Sequence, residues 1–98
     1  MENESASLEM PKYRCHKEVW ALKIARIEQV DPAGLWNAGA TITPTDGRYA
    51  PFFVSGEYCA KHNPQAGGYF VLYEDGYRSW SPAEAFESGY SLLGKGKL

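Results

Sequence analysis

One stretch, Gly67 to Tyr90 (GGYFVLYEDGYRSWSPAEAFESGY), constrains the fold of this chain more than any other. Tyr69-Phe70-Val71-Leu72-Tyr73 is a run of aromatic and β-branched residues, the composition that favours a strand. Asp75-Gly76 follows, a strong hairpin signal because both central residues of a type I′ turn need positive φ. With Asp75 and Gly76 as a two-residue loop, Tyr73 would face Arg78 and Val71 would face Trp80. One face of the hairpin would then carry Tyr69, Val71, Tyr73, Arg78 and Trp80. The other would carry Phe70, Leu72, Glu74, Tyr77 and Ser79. Both faces are apolar at the strand centres, so each needs a cover.

Ser81-Pro82-Ala83-Glu84 reads as a helix start, with Ser81 as N-cap, Pro82 in the first helical position and Glu84 completing a capping box. Phe86 and Tyr90 are four apart and share a helix face, and Gly89 supplies the stop. A helix of about two turns does not hold in water by itself and must dock on the sheet.

Ninety-eight residues suffice for one domain with a modest core. The aromatic content is high, with seven Tyr, four Phe and three Trp, and fits either a compact aromatic core or a ligand surface. Net charge is −2. Without Glu2, Glu4 and Glu9 the balance is +1, ten basic residues against nine acidic. Neither value supplies the extended basic field that duplex DNA requires. Two cysteines, Cys15 and Cys59, fit a reduced compartment and need no disulfide. No apolar run is long enough to span a bilayer and no signal-peptide core is visible, so a cytoplasmic location is expected.

Taken in order, residues 1–11 are expected to be a disordered acidic tail, 12–93 one globular domain and 94–98 a frayed tail. Lys12 to Lys17 (KYRCHK) is a basic patch, read as a charged edge strand or an anion contact. Val19 to Val30 is ambiguous. A helix would group Trp20, Ile24 and Ile27, whereas a strand would place Trp20, Leu22 and Ile24 on one face. The β-branched residues and the Asp31-Pro32-Ala33-Gly34 turn favour the strand. Leu35 to Gly39 is expected to be a loop or the far end of a wide hairpin. Ala40 to Thr43 should be a short strand ended by Pro44, Asp46-Gly47 a turn, and Tyr49 to Val54 an extended segment entering the core. Ser55 should cap a short helix from Gly56 to about His62, closed by Asn63-Pro64. The expected fold is α+β: an antiparallel sheet of four or five strands with a short C-terminal helix docked on it.

The residue types that carry chemistry form no catalytic pattern. Adjacent Cys15 and His16 on a strand would point to opposite faces; Cys59 and His62, three apart, fit one helical face, and a buried Cys with a surface His outweighs a zinc site there. A Cys–His nucleophile would lack an orienting acid and an oxyanion loop. Gly67-Gly68 matches no phosphate-loop pattern. No metal, cofactor or catalytic residue is therefore assigned. The remaining candidate is Tyr73, Arg78 and Trp80 on one hairpin face, with Lys12, Arg14 and Lys17 from the N-terminal segment. Two rings and a guanidinium suit a nucleotide or a protein hot spot. The competing reading makes Trp80 core and lays the stem of Arg78 over it.

The Gly67–Tyr90 stretch, preceded by MPKYRCHKEVWALKI, resembles small proteins encoded by tailed bacteriophages and prophages, over about Met10 to Tyr90. The resemblance implies a bacterial host cytoplasm and transfers no catalytic residue. A second similarity is to small phage anti-defence proteins that sequester cyclic nucleotides and end in a strand, a Trp-x-Pro-Ser-like cap and a short acidic helix. Here the order is Trp80-Ser81-Pro82, which departs from that pattern. The expected function is a non-enzymatic accessory module acting by protein–protein contact, including self-association as a homodimer. The alternative is a nucleotide sponge using Tyr73, Arg78 and Trp80.

Overall fold

The computed structural model describes residues 10–14, 16–31 and 36–93, residue 36 by its backbone alone. The disorder expected for 1–9, the fraying expected for 94–98, the Pro32-Ala33-Gly34 portion of the turn and the placement of Cys15 lie outside the described residues.

Five antiparallel strands and two short α-helices make an α+β fold. The strands are β1 (Val19–Gln29), β2 (Ala40–Pro44), β3 (Phe52–Val54), β4 (Tyr69–Tyr73) and β5 (Arg78–Ser81). Helix α1 (Gly56–His62) lies between β3 and β4, and α2 (Ala83–Gly89) follows β5. Trp36–Ala38, within the expected loop, forms a 3₁₀ turn. The spatial order is β3-β2-β1-β4-β5. β1 is the shared strand. Its first half pairs with β4, from Val19↔Tyr73 to Lys23↔Tyr69, and its second half pairs with β2, from Ile24↔Pro44 to Gln29↔Ala40. The sheet therefore curls into two three-stranded halves hinged on β1.

The hinge is a β-bulge. Ile24 pairs with Pro44 and Arg26 with Thr43, so Ala25 is an extra residue in β1. A bulge bends the strand and shifts its alternation by one. Before it, Trp20, Leu22 and Ile24 share a face; after it, Ile27 and Gln29 continue that face opposite Ile42 and Ala40. The spacing of Trp20, Ile24 and Ile27 imitates a helix because the bulge separates Ile24 from Ile27 by three residues. Across the bend, the Ile24 N–H donates to the Gly68 carbonyl at 2.9 Å, and the Gly67 N–H to the Ile24 carbonyl at 2.8 Å.

The core fills the inside of the curl. Ile24, Ala40, Ile42, Val54, Tyr58, Cys59 and Phe70 are buried together, with Ile27, Phe52, Leu72 and Trp80 packed around them. Phe70 meets Phe52 edge-on at 4.8 Å and Tyr58 at 5.8 Å. Helix α1 enters this core as expected: the Tyr58 N–H donates to Ser55 Oγ at 3.1 Å, and Asn63 closes the helix in the left-handed region at φ 44°. The Tyr58 hydroxyl donates to the Ser79 carbonyl at 2.7 Å and ties α1 to β5.

Three sequence expectations need correction. The hairpin loop has three residues, not two. The Tyr73 N–H donates to the Tyr77 carbonyl at 2.8 Å, the Gly76 N–H to the Tyr73 carbonyl at 2.9 Å, and Gly76 has φ +93°. This matches a type I turn followed by a left-handed glycine, which Asp-Gly serves as well as it serves a two-residue loop. The register becomes Phe70↔Trp80 and Leu72↔Arg78, one residue away from the expected pairing. The second correction concerns α2. Ser81 belongs to β5, Pro82 takes the N-cap place, and no side chain caps the helix. Ser81 Oγ instead donates to the Pro82 carbonyl at 3.2 Å. Third, the described residues of Lys12–Lys17 form no strand and are all exposed.

Candidate functional site

The register decides where the hairpin residues go. Phe70, Leu72, Arg78 and Trp80 share the inner face, and Tyr69, Val71, Tyr73 and Ser79 share the outer one. Tyr73 is thus separated by the sheet from Arg78 and Trp80, and the three do not form one patch. Trp80 is half-buried against the core, and its indole N–H donates to the Gln65 carbonyl at 3.3 Å. The reading of Trp80 as core therefore holds. Arg78 is exposed. It ends a cross-strand row, Trp20–Leu72–Arg78, in which Trp20 remains 61% exposed. Trp20 was not singled out as a binding residue. Its place on the core-facing side of β1 suggested burial, but it stands one pair from the end of the β1–β4 ladder.

Beside this row, α1 ends in Lys61 and His62. Lys61 Nζ is 5.0 Å from the centre of the Tyr77 ring, and His62 packs at 6.0 Å from Tyr77 and 4.8 Å from Tyr58. Burial, together with the Lys61 charge, holds the His62 imidazole below its usual range. Cys59 is a buried free thiol, and burial raises its pKa, so it lacks the thiolate character of a nucleophile. Among the described residues, no three of His, Cys, Asp and Glu converge as metal ligands.

On the outer face, Tyr69, Phe86 and Tyr90 stack in series, with ring centres 4.2 and 4.5 Å apart. The Tyr69 hydroxyl donates to Glu87 Oε2 at 2.8 Å, and Lys23 Nζ lies 3.5 Å from the same oxygen. The tyrosine bond, assisted by Lys23, keeps the Glu87 carboxyl below its ordinary range. Tyr73 also faces outward. Its ring lies 5.8 Å from that of Tyr77, and Lys17 Nζ stands 5.9 Å from its centre. Lys12, Arg14 and Lys17 line an open groove of about 920 Å³ with Tyr13, His16, Gly89 and Tyr90. A smaller hollow of about 170 Å³, lined by Lys17, Glu18, Tyr73, Glu74 and Asp75, adjoins it. The predicted set therefore divides: Lys12, Arg14, Lys17 and Tyr73 lie in neighbouring hollows joined by Lys17, while Arg78 and Trp80 occupy the inner face.

The fold is similar to that of the phage L decoration protein. The likeness is to the solution structure of its monomeric form, with a TM-score of 0.60 and 26% sequence identity over 95% of this chain. The chain spans 65% of the length of that decoration protein. No protein-family model and no curated protein sequence matches the chain. The structural likeness agrees with the phage character expected from the Gly67–Tyr90 stretch. It runs across both halves of the sheet, since it covers nearly the whole chain. No helix among the described residues is long and apolar enough to cross a membrane.

Proposed function

We propose that this chain is a phage accessory protein of the decoration type, a non-enzymatic module that binds a protein surface on the phage particle. The observation that carries the reading is the fold likeness to the phage L decoration protein over 95% of this chain. The distribution of exposed side chains supports it. Aromatic and basic residues favoured at protein interfaces stand on the surface at Tyr13, Trp20, Tyr77 and Arg78. We assign the contact to two areas: Lys12, Arg14 and Lys17 with Tyr73 on the outer face, and Arg78 with Trp20 on the inner rim.

The nucleotide-sponge alternative finds no support. It needed Tyr73, Arg78 and Trp80 together, and the register puts Tyr73 on the opposite face. Homodimer formation likewise has no supporting observation.

The test is co-sedimentation of the purified chain with particles of the phage or prophage whose genome encodes it. Saturable binding to intact particles is expected. A chain that stays in the supernatant at micromolar concentration overturns the proposal.

A further inference from the structure

We propose that the groove between the Lys12–Lys17 segment and the end of α2 takes a carboxylate-rich segment of the protein partner. This inference rests on the protein-binding function proposed above and adds the chemistry of the partner.

Three observations carry it. First, every charged residue lining the groove is basic, Lys12, Arg14 and Lys17, and His16 stands among them. Three acids, Glu18, Glu74 and Asp75, line the adjoining hollow instead. Second, no ion pair among the described residues takes up the charge of Lys12 or Arg14. The surface ion pairs Lys23–Glu87, Arg26–Glu28 and Arg48–Asp46 neutralise cations of the sheet and its turns. Third, the walls carry rings. Tyr13 is 93% exposed, and Tyr90, stacked on Phe86, holds the far side in place.

The dimensions select the class of ligand. A volume of about 920 Å³ is at the upper end for a small-molecule site, and this groove is open rather than enclosed. A chain segment fills such a groove better than one small anion. Arginine and lysine would take successive carboxylates, and the tyrosines would cover the aliphatic parts of the segment. A single-stranded nucleic acid would also find cations and rings here. It is disfavoured by the acids at Glu18, Glu74 and Asp75, which border the basic stretch and interrupt a backbone track.

The experiment is a calorimetric titration of the full chain with a decapeptide of alternating glutamate and alanine. The same peptide with glutamine for glutamate and a thymidine decanucleotide are run in parallel. The glutamate peptide is expected to bind, with affinity falling about tenfold from low to physiological salt as exposed charges are screened. Lys12→Glu combined with Arg14→Glu is expected to abolish binding. Arg26→Glu, a charge reversal on the other half of the sheet, is expected to leave it intact. Equal binding of the glutamate and glutamine peptides, tighter binding of the oligonucleotide, or unchanged affinity in the double charge-reversal variant overturns the inference. Particle co-sedimentation separates the two proposals. A double variant that sediments with particles as tightly as the parent overturns the acidic-segment inference alone. Peptide binding without particle binding supports the groove and overturns the particle as its target.

Discussion

Trp80 lies so close against Gly68 that a β-carbon at residue 68 would fall 2.5 Å from its Cζ2 and 2.6 Å from its Cε2 and Nε1. The glycine is required for space, not for a left-handed backbone. It stands where the chain returns from α1 to β4 and where its carbonyl accepts from Ile24. Gly68→Ala should cost about 1–3 kcal/mol, because a rigid indole cannot yield without leaving the core. Trp80→Ala alone should cost about 3 kcal/mol, the low end for a large aromatic since the ring is only half-buried. The decisive measurement is the double-mutant cycle in urea. In the Trp80→Ala background, most of the cost of Gly68→Ala should vanish. Strict additivity would show that the two residues do not touch in solution.

The bulge at Ala25 predicts an asymmetric sensitivity. Deleting Ala25 removes the extra residue, so that Ile24, Ile27 and Gln29 stay on one face opposite Pro44, Ile42 and Ala40, but β1 loses its bend. Losing the bend on which the two halves of the sheet curl around the core should cost about 1–3 kcal/mol. Ala25→Ser, on an exposed position, should change stability by less than about 0.5 kcal/mol. Denaturant melts of both variants check the pair of outcomes. A deletion as mild as the serine substitution would mean that the curl of the sheet does not depend on the bulge.

These two features also show how far the sequence was legible. The hairpin, the Ser55 cap, the Asn63 stop and the strand at Ala40 followed from local chemistry, and each is present. What failed was the counting of residues around irregularities. Asp75-Gly76 fits a two-residue loop and a three-residue loop equally well, and the choice moves Arg78 and Trp80 to the opposite face from Tyr73. The Ala25 bulge is invisible to periodicity because it creates the spacing of a helix. Ser81 looked like a cap because Ser-Pro commonly opens helices, but the ladder to Tyr69 claimed it. The groove was half legible. The basic segment could be read directly, but its opposite wall at Gly89 and Tyr90 depends on how α2 docks.

The docking of α2 is narrow. Its seven residues include none that is buried, no side chain caps it, and Phe86 reaches the sheet by stacking on Tyr69. Phe86→Ala should therefore release α2 while the sheet stays folded. The expected loss is about 0.5–1.5 kcal/mol for the ring pair. Amide hydrogen exchange should show it most directly, with protection lost across Ala83–Gly89 and retained in β1 and β4. Equal loss of protection throughout would make α2 part of one cooperative unit with the sheet.

The last prediction concerns alkaline pH and the bond between Tyr58 and Ser79. Burial pushes the Tyr58 hydroxyl well above the ordinary tyrosine value of 10.0. The folded state thus holds a proton that the unfolded chain releases, and stability is lost as pH rises past that ordinary value. Below it the contribution is fully present. Burial shifts Cys59 and Tyr69 in the same direction, so the alkaline limb has more than one source. Tyr58→Phe removes the titrating group and the 2.7 Å bond to the Ser79 carbonyl together. At neutral pH it should cost about 1 kcal/mol, the worth of one buried hydrogen bond. Above the ordinary tyrosine value the variant should lose stability less steeply than the parent, narrowing the gap between them. The remaining slope would come from Cys59 and Tyr69. Urea melts at a series of pH values measure both curves. Parallel curves through the alkaline range would mean that Tyr58 ionises as readily in the folded protein as in the unfolded chain, which would contradict its burial between α1 and β5.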